Sequence, residues 1–354
     1  MARHEAAPTR RLRTVFFGSG WFAVPVLNSL LRRAEIEVVG VITPPDGRAG
    51  RTGALTPVPV ADAARRAGLR LLQVQRVRST DALDAIRGLA PDLGVLADFG
   101  QLIPQSVIDL PVHGIVNIHP SLLPRHRGAT PIPATILAGD TKAGVTIMQM
   151  DAGLDTGPIV VARSWPLTGA EDAPGLEALA ADVGAELLDE IITILLAGPL
   201  PSRPQDEAGA TMTRPLRRDD GRLDPSHTAQ SLERRVRAFR PWPGTFIKSG
   251  SLRLAVHDGA VADPGSDDAP GRIVAHEDGI ALTTSDGRLV LGTVQPAGGR
   301  SMPGSAFRRG HPSIIGAGVE AGVSPTGPGA EAALSPTGPR AEAALSPTGE
   351  GADA

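Results

Sequence analysis

Apolar positions along this chain fall into two rhythms, and the change between them divides the protein. Thr14–Phe17, Val38–Ile42, Leu69–Gln73 and Asp92–Leu96 are short, mostly apolar runs. Stretches of helical character separate them, at Trp21–Arg33, Pro59–Ala67 and Thr80–Leu89. Strands apolar on both faces belong in a parallel sheet that helices cover on both sides. Strand–helix alternation through residues 14–165 therefore predicts an α/β domain with a doubly wound, mostly parallel, Rossmann-like sheet. Gly18-Ser-Gly20 reads as a strand-to-helix turn, because Gly-x-Gly without a third glycine is half of a dinucleotide fingerprint. Leu176, Leu179, Val183, Leu187, Ile191 and Leu195 predict a long helix over 174–196.

The rhythm then shortens. Three prolines within 197–204 predict a stiff linker. Residues 251–257, 271–275, 279–284 and 289–294 alternate and are broken by Asp-Gly and Pro-Gly turns, the pattern of a small OB-like β-barrel. A helix near 228–239 precedes it. In the tail, Ser324-Pro-Thr-Gly-Pro recurs from Ser335 and, ending in Glu, from Ser346. Each eleven-residue unit carries a proline and too little apolar surface to fold. The expected division is a flexible 1–13, a catalytic domain over 14–196, a linker at 197–208, a barrel over 209–312 and a disordered 313–354.

Length and composition narrow the function. A chain of 354 residues is long enough for two cores. It has no cysteine, which excludes disulfides, a thiolate nucleophile and Cys-ligated metal. A net charge of −3 excludes a uniformly basic nucleic-acid binder but leaves room for local patches. Between Arg203 and Arg253 there are eleven Arg or Lys against six Asp or Glu, a local +5. No apolar run reaches membrane-spanning length, and Arg10, Arg11 and Arg13 precede a strand and not a secretory apolar segment. The expected setting is the cytoplasm, with no membrane association, and the expected state is a monomer.

Candidate chemistry concentrates between Gly114 and Gly157. Asn117 and His119 lie two apart on a predicted strand, so they share a face, and Pro120 ends the pairing. A helix over 130–138 closes at Gly139, and a second strand, 143–150, leads into a loop bearing Asp151 and Asp155. An amide, an imidazole and a carboxylate are the groups needed for an amine to attack a carbonyl carbon: an oxyanion donor, a proton carrier and a partner for it. By residue type alone a second reading stands beside this one, an ordinary strand-end histidine followed by turn material.

The segments Asn117-Ile-His119-Pro-Ser121-Leu-Leu-Pro124 and Asp151-Ala-Gly-Leu-Asp155-Thr-Gly157 resemble the paired signature of the folate-dependent formyltransferases. In that family an Asn, a His two residues later and an Asp thirty-eight residues after the Asn carry formyl transfer from 10-formyltetrahydrofolate. Asn117, His119 and Asp155 have that spacing. The resemblance implies the formyltransferase fold, that folate as formyl-donor co-substrate, and no metal. It implies a folate site drawn from Phe99, Gln101, Ile103, Ser121, Leu122, Leu123, Pro124 and Asp151. Family members more often have Tyr at the position of Phe99 and a small residue at that of Asp98.

Arg237-Ala-Phe-Arg240-Pro-Trp242-Pro-Gly244 and Gln295-Pro-Ala-Gly298 resemble barrel elements of the family branch that acts on methionyl-tRNA. The loop Thr43–Ala54 resembles that branch's acceptor-stem loop, whose Arg matches Arg51. The resemblance spans about residues 14–310. It implies initiator methionyl-tRNA as acceptor, met by Arg51. Arg48 of the same basic loop and Arg234, Arg235 and Arg237 of the locally basic helix are the further candidates for holding it, beside the reading of a solvated helix face. Lysines common in relatives are replaced by Gly53, Ala54, Gly299 and Arg300. Two other outcomes remain open: a formyltransferase for an amino sugar or other small amine, and a catalytically silent tRNA-binding relative.

Overall fold

The computed structural model describes residues 10–49, 54–266 and 268–322. In the first domain seven strands form one sheet: β1 (Leu12–Gly18), β2 (Ile36–Thr43), β3 (Leu71–Gln73), β4 (Leu93–Ala97), β5 (Ile115–His119), β6 (Lys142–Gln149) and β7 (Ile159–Pro166). Their order across the sheet is β7-β6-β5-β4-β1-β2-β3. The five strands from β5 to β3 are parallel, whereas β6 is antiparallel to β5 and β7 to β6.

Alternation along β1 shows why its sequence is apolar throughout. Phe16 faces a core shared with helices α1 (Ala23–Leu31) and α6 (Ala173–Ala197), through Leu27, Leu187 and Ile191. Val15 and Phe17 face the opposite core, with α2 (Pro59–Arg66) elsewhere on the fold and α3 (Thr80–Arg87) and α4 (Gln105–Ile108) supplying Ile86 and Val107. Full burial of each such side chain stabilises the domain by about 1.5–3 kcal/mol. Helix α5 (Pro131–Ala138) ends as expected at Gly139, whose φ of 65° is the left-handed conformation that glycine adopts without penalty.

The second domain is antiparallel: β8 (Thr245–Ser249), β9 (Leu252–Ala262), β10 (Ile273–His276), β11 (Gly279–Thr283), β12 (Arg288–Pro296) and β13 (Met302–Pro303). The order is β8-β9-β12-β11-β10, with β13 on β12. Helices α7 (Ala229–Ala238) and α8 (Gly304–Gly310) supply Leu232, Val236 and Phe307 to its core. The far end of α7 belongs to the first domain instead, since Ala238 and Phe239 are buried in the α1–α6 core. Arg237 Nη1 donates to the Glu171 carbonyl at 2.5 Å, and Arg240 pairs with Asp172 at 3.3 Å.

The structure differs from expectation at three boundaries. Packing continues past residue 312: Ile314 and Val319 are buried, and Val319 N–H donates to the Gly271 carbonyl at 2.7 Å. Two apolar side chains and a few strand-like bonds are enough to hold residues 313–322, a signal too sparse to register as periodicity. The repeats, in 323–354, lie outside the described residues, as do 1–9. At the start, β1 begins at Leu12, and Arg10 pairs with Asp92 at 2.7 Å. The linker, expected as stiff, is also docked on the first domain. Arg203 exchanges backbone hydrogen bonds with Ile159, and Met212–Thr213 pairs with Arg127–Gly128.

Candidate active site

Asn117 and His119 sit at the carboxyl end of β5, flanked by Leu96 of β4 and Met148 of β6. Strand alternation turns both to one face and sends Ile118 into the core opposite. The loop after β6 returns Asp155 to them. Asn117 Nδ2 donates to Asp155 Oδ1 at 3.2 Å, and His119 Nδ1 lies 3.7 Å from Asp155 Oδ2. Gly128 N–H donates to the same Oδ2 at 2.7 Å. Asn117 and His119 are only 6% and 5% exposed, so the trio is a nearly dry cluster open on one side to a cleft.

His119 Nε2 lies 3.0 Å from the carbonyl oxygen of His126. A carbonyl only accepts, so Nε2 carries the hydrogen, and Nδ1 is the nitrogen left to exchange a proton on the Asp155 side. His126 is itself fixed. Its Nε2 is 2.7 Å from Asp140 Oδ2, and Arg125 donates to both Asp140 oxygens at 3.0 and 2.5 Å. Burial raises the Asp140 carboxyl, but the bonds from His126 and Arg125 outweigh it and hold the group below its ordinary value. An amide hydrogen of Asn117 not given to Asp155 is suited to a carbonyl oxygen that gains charge, and His119 Nδ1, beside Asp155, to moving a proton.

The cleft above them has a volume of about 610 Å³, the size range of small-molecule sites. Phe99, Gln101 and Ile103 line it. Phe99 is braced edge-on against Phe17, and Gln101 holds the Val77 N–H and the Val74 carbonyl, so its side chain secures the wall. The other predicted folate residues lie elsewhere. Ser121 is buried and donates to the Arg125 carbonyl. Leu122 borders a separate 180 Å³ hollow behind the site, and Leu123 packs with Met148 and Ile159. Pro124 lies beside Gly209. The chain turns inward after Pro120, so Pro120 reaches the cleft and the next four residues support it from below. Asp151 caps its own loop, accepting from Gly153 N–H and Thr156 Oγ1.

The predicted basic face is also rearranged. Arg235 is half-buried, donates to the Asp220 carbonyl at 3.0 Å and lies over Phe239; the desolvation of its inner end pushes its guanidinium below the ordinary value. Arg237 is clamped by Glu233 as well as by Glu171. Arg237 joins the domains, and Arg235 holds the Asp220 turn within the second domain. Arg234 lies against Gly139, half-buried. Arg48 sits in the short strand Gly47–Ala49, and Arg51 lies outside the described residues. Arg217 and Arg218, two and three residues beyond the cleft-lining Pro215, are exposed, and no ion pair holds either among the described residues.

Sequence reasoning missed three further features. Arg127, 3% exposed, forms a two-pronged ion pair with Glu207 of the linker. Gln205 bonds to Arg127 and to the Asp155 loop. Asp98 and Glu177 face one another in the cleft, the former with its carboxyl raised to about 6 by burial first and by Glu177 second. Asp98 is reachable by solvent yet walled in by protein, with its carboxylate laid over Gly20. Only the unusual Asp at 98 gave a warning in the sequence. Among the described residues no cluster of three or more His, Cys, Asp or Glu is arranged to hold a metal, and no helix is long and apolar enough to cross a membrane.

Residues 12–192 match the family described as formyl transferase, and residues 215–312 match formyl transferase, C-terminal domain. A methionyl-tRNA formyltransferase of Roseiflexus sp. (strain RS-1) is 42% identical over 300 residues, covering 84% of this chain and 92% of that protein. One from Thermus thermophilus is 41% identical over 307 residues, covering 85% and 96%. Among solved structures, methionyl-tRNA formyltransferase from Clostridium thermocellum aligns with a TM-score of 0.51 at 15% identity, over 71% of this chain and 94% of that one. An N-formyltransferase from Helicobacter canadensis aligns with a TM-score of 0.58 at 13% identity, over 79% and 98%. At such identities the structural likeness speaks for the fold alone.

Proposed function

The chain belongs to the methionyl-tRNA formyltransferase family, and from that footing we propose that it transfers a formyl group from 10-formyltetrahydrofolate to the α-amine of initiator methionyl-tRNA. The observation that carries this reading is the convergence of Asn117, His119 and Asp155 at the base of a cleft of ligand size. The cleft fits the donor chemically: Phe22, Phe99, Leu102 and Ile103 offer apolar walls to a flat ring system, and polar groups are concentrated where the formyl carbon would react.

The folate supplies the formyl carbon, which the deprotonated amine attacks. Asn117 Nδ2 is the donor for the charge that develops on the formyl oxygen, and His119, with Nε2–H held by the His126 carbonyl, presents Nδ1 beside Asp155 as the nitrogen that exchanges a proton. Asp155 also supports a second role, relay of a proton through water to the folate nitrogen that leaves. Fixing Nε2–H on the His126 carbonyl commits the ring to one orientation, so no reorganisation is needed during the step.

The second domain, with its match to the family's C-terminal domain, supports an RNA acceptor over a small amine. With Arg235 and Arg237 spent internally, phosphate binding falls to Arg217 and Arg218 at the cleft's edge and to the loop carrying Arg48 and Arg51. The reading includes a cytoplasmic monomer that uses no metal. Incubating the purified protein with 10-formyltetrahydrofolate and either methionyl-tRNA, an amino-sugar nucleotide or glycinamide ribonucleotide tests it. Transfer to methionyl-tRNA is expected; transfer only to another acceptor, or none at all, overturns it.

A further inference from the structure

We propose that Gln205 is a positioning residue for formyl transfer: through its side-chain amide the interdomain linker holds Asp155 in register with Asn117 and His119. The inference rests on the function proposed above. The Gln205 amide has two N–H groups and two lone pairs, and every one is used. Nε2 donates to the carbonyls of Asp155 and Gly157, each at 2.8 Å. Oε1 accepts from Arg127 Nε at 3.0 Å and Nη2 at 2.8 Å.

These bonds grip Asp155 from both sides. One side is its own backbone. The other is the Arg127–Gly128 segment, whose Gly128 N–H donates to the Asp155 carboxylate at 2.7 Å. Arg127 cannot drift, since Glu207 holds its guanidinium at 2.9 and 2.7 Å and it is almost wholly buried. The linker runs on along the same segment: His126 N–H donates to Thr211 Oγ1 at 2.8 Å, and Arg127 N–H to the Thr211 carbonyl at 2.9 Å.

Asp155 needs such holding. Its φ of 55° is left-handed, a conformation that a non-glycine residue keeps only when its surroundings impose it. On the other end of the loop Gly157 is already pressed on β6, where an added Cβ would come within 1.8 Å of the Gln149 carbonyl oxygen. The adjustable part of the loop therefore lies at Asp155, and Gln205 is the side chain that fixes it. The linker that leads into the second domain is thus bonded to the main chain of the residue that carries the catalytic carboxylate.

A misplacement of about 1 Å in a catalytic group costs on the order of a hundredfold in rate. Gln205→Ala should lower kcat about ten- to a hundredfold, with KM for folate and for methionyl-tRNA nearly unchanged. A residue that acts through Asp155 should cost nothing more once Asp155 is gone, so Gln205→Ala in an Asp155→Ala background should leave the residual rate where it is. Gln205→Met keeps the side-chain length without the bonds and serves if the alanine variant is poorly folded. An unchanged kcat in a folded variant, or the same fold-loss with and without Asp155, overturns the inference. Wild-type turnover is measured first: its absence overturns both this role and the function it rests on, whereas an active wild type with fully active Gln205 variants overturns this role alone.

Discussion

His119 gives its Nε2 hydrogen to the main-chain carbonyl of His126, 3.0 Å away. The acceptor is backbone, so its position depends on what holds residues 125–127 in place. Asp140 does this through His126 and Arg125 together. Asp140→Ala should therefore release the segment and lower kcat by on the order of tenfold, with folate affinity retained. Steady-state kinetics with folate binding measured separately checks this. A variant that loses folate affinity and keeps kcat would show that Asp140 serves the cleft and not the histidine.

The two sets of arginines should separate by assay. Arg237 is 11% exposed at its side chain and bonded to Glu233 and Glu171, so Arg237→Ala should cost about 2 kcal/mol of stability by denaturant unfolding. Its effect on the salt dependence of tRNA binding should be nil. Replacing Arg217 and Arg218 with Ala should do the reverse: stability is unchanged, and the slope of log K against log salt falls by about 0.7 for each phosphate no longer neutralised. Filter binding across a salt series reads both, and an unchanged slope in the Arg217, Arg218 double variant removes them from the RNA site.

These arginines also mark what a sequence reveals. Asn117 and His119 could be placed on one face because strand alternation is local, and Gly139 could be placed as a helix end because the left-handed conformation selects glycine locally. Arg235 and Arg237 fall on the polar side of α7 by pattern, but what covers that side is the Asp220 turn and the Glu171 carbonyl. Nothing in helical spacing encodes those neighbours. Ser121–Pro124 carried the family motif yet lies beneath the cleft, because the turn after Pro120 takes its direction from packing on Met148 and Ile159. Gln205 sat beside three prolines that read as a spacer. Its partners stand 48 to 78 residues away.

Asp98 should leave a signature in stability against pH. Its folded carboxyl is raised to about 6, above its ordinary value of 3.8, by burial and then by Glu177. Between those values the folded state binds more protons than the unfolded state, so this group's contribution to stability falls as pH rises from about 4 to about 6. Solvent in the cleft screens part of the effect. Asp98→Asn should remove the fall, so the variant should gain on the wild type through that window and stay level above it. Urea midpoints of both proteins at pH 4 to 7.5 check this; parallel curves would mean that Asp98 is solvated like a surface carboxylate.

The central claim is that Asn117 stabilises the charge that forms during formyl transfer and that His119, beside Asp155, moves the proton. The most direct measurement is single-turnover transfer to methionyl-tRNA by purified wild type, Asn117→Ala and His119→Ala, with 10-formyltetrahydrofolate saturating. Loss of an oxyanion donor costs about a hundred- to a thousandfold and loss of a proton-transfer group about a hundred- to ten-thousandfold, so each variant is predicted to fall at least about a hundredfold. Rates near the wild type in both folded variants would contradict the account.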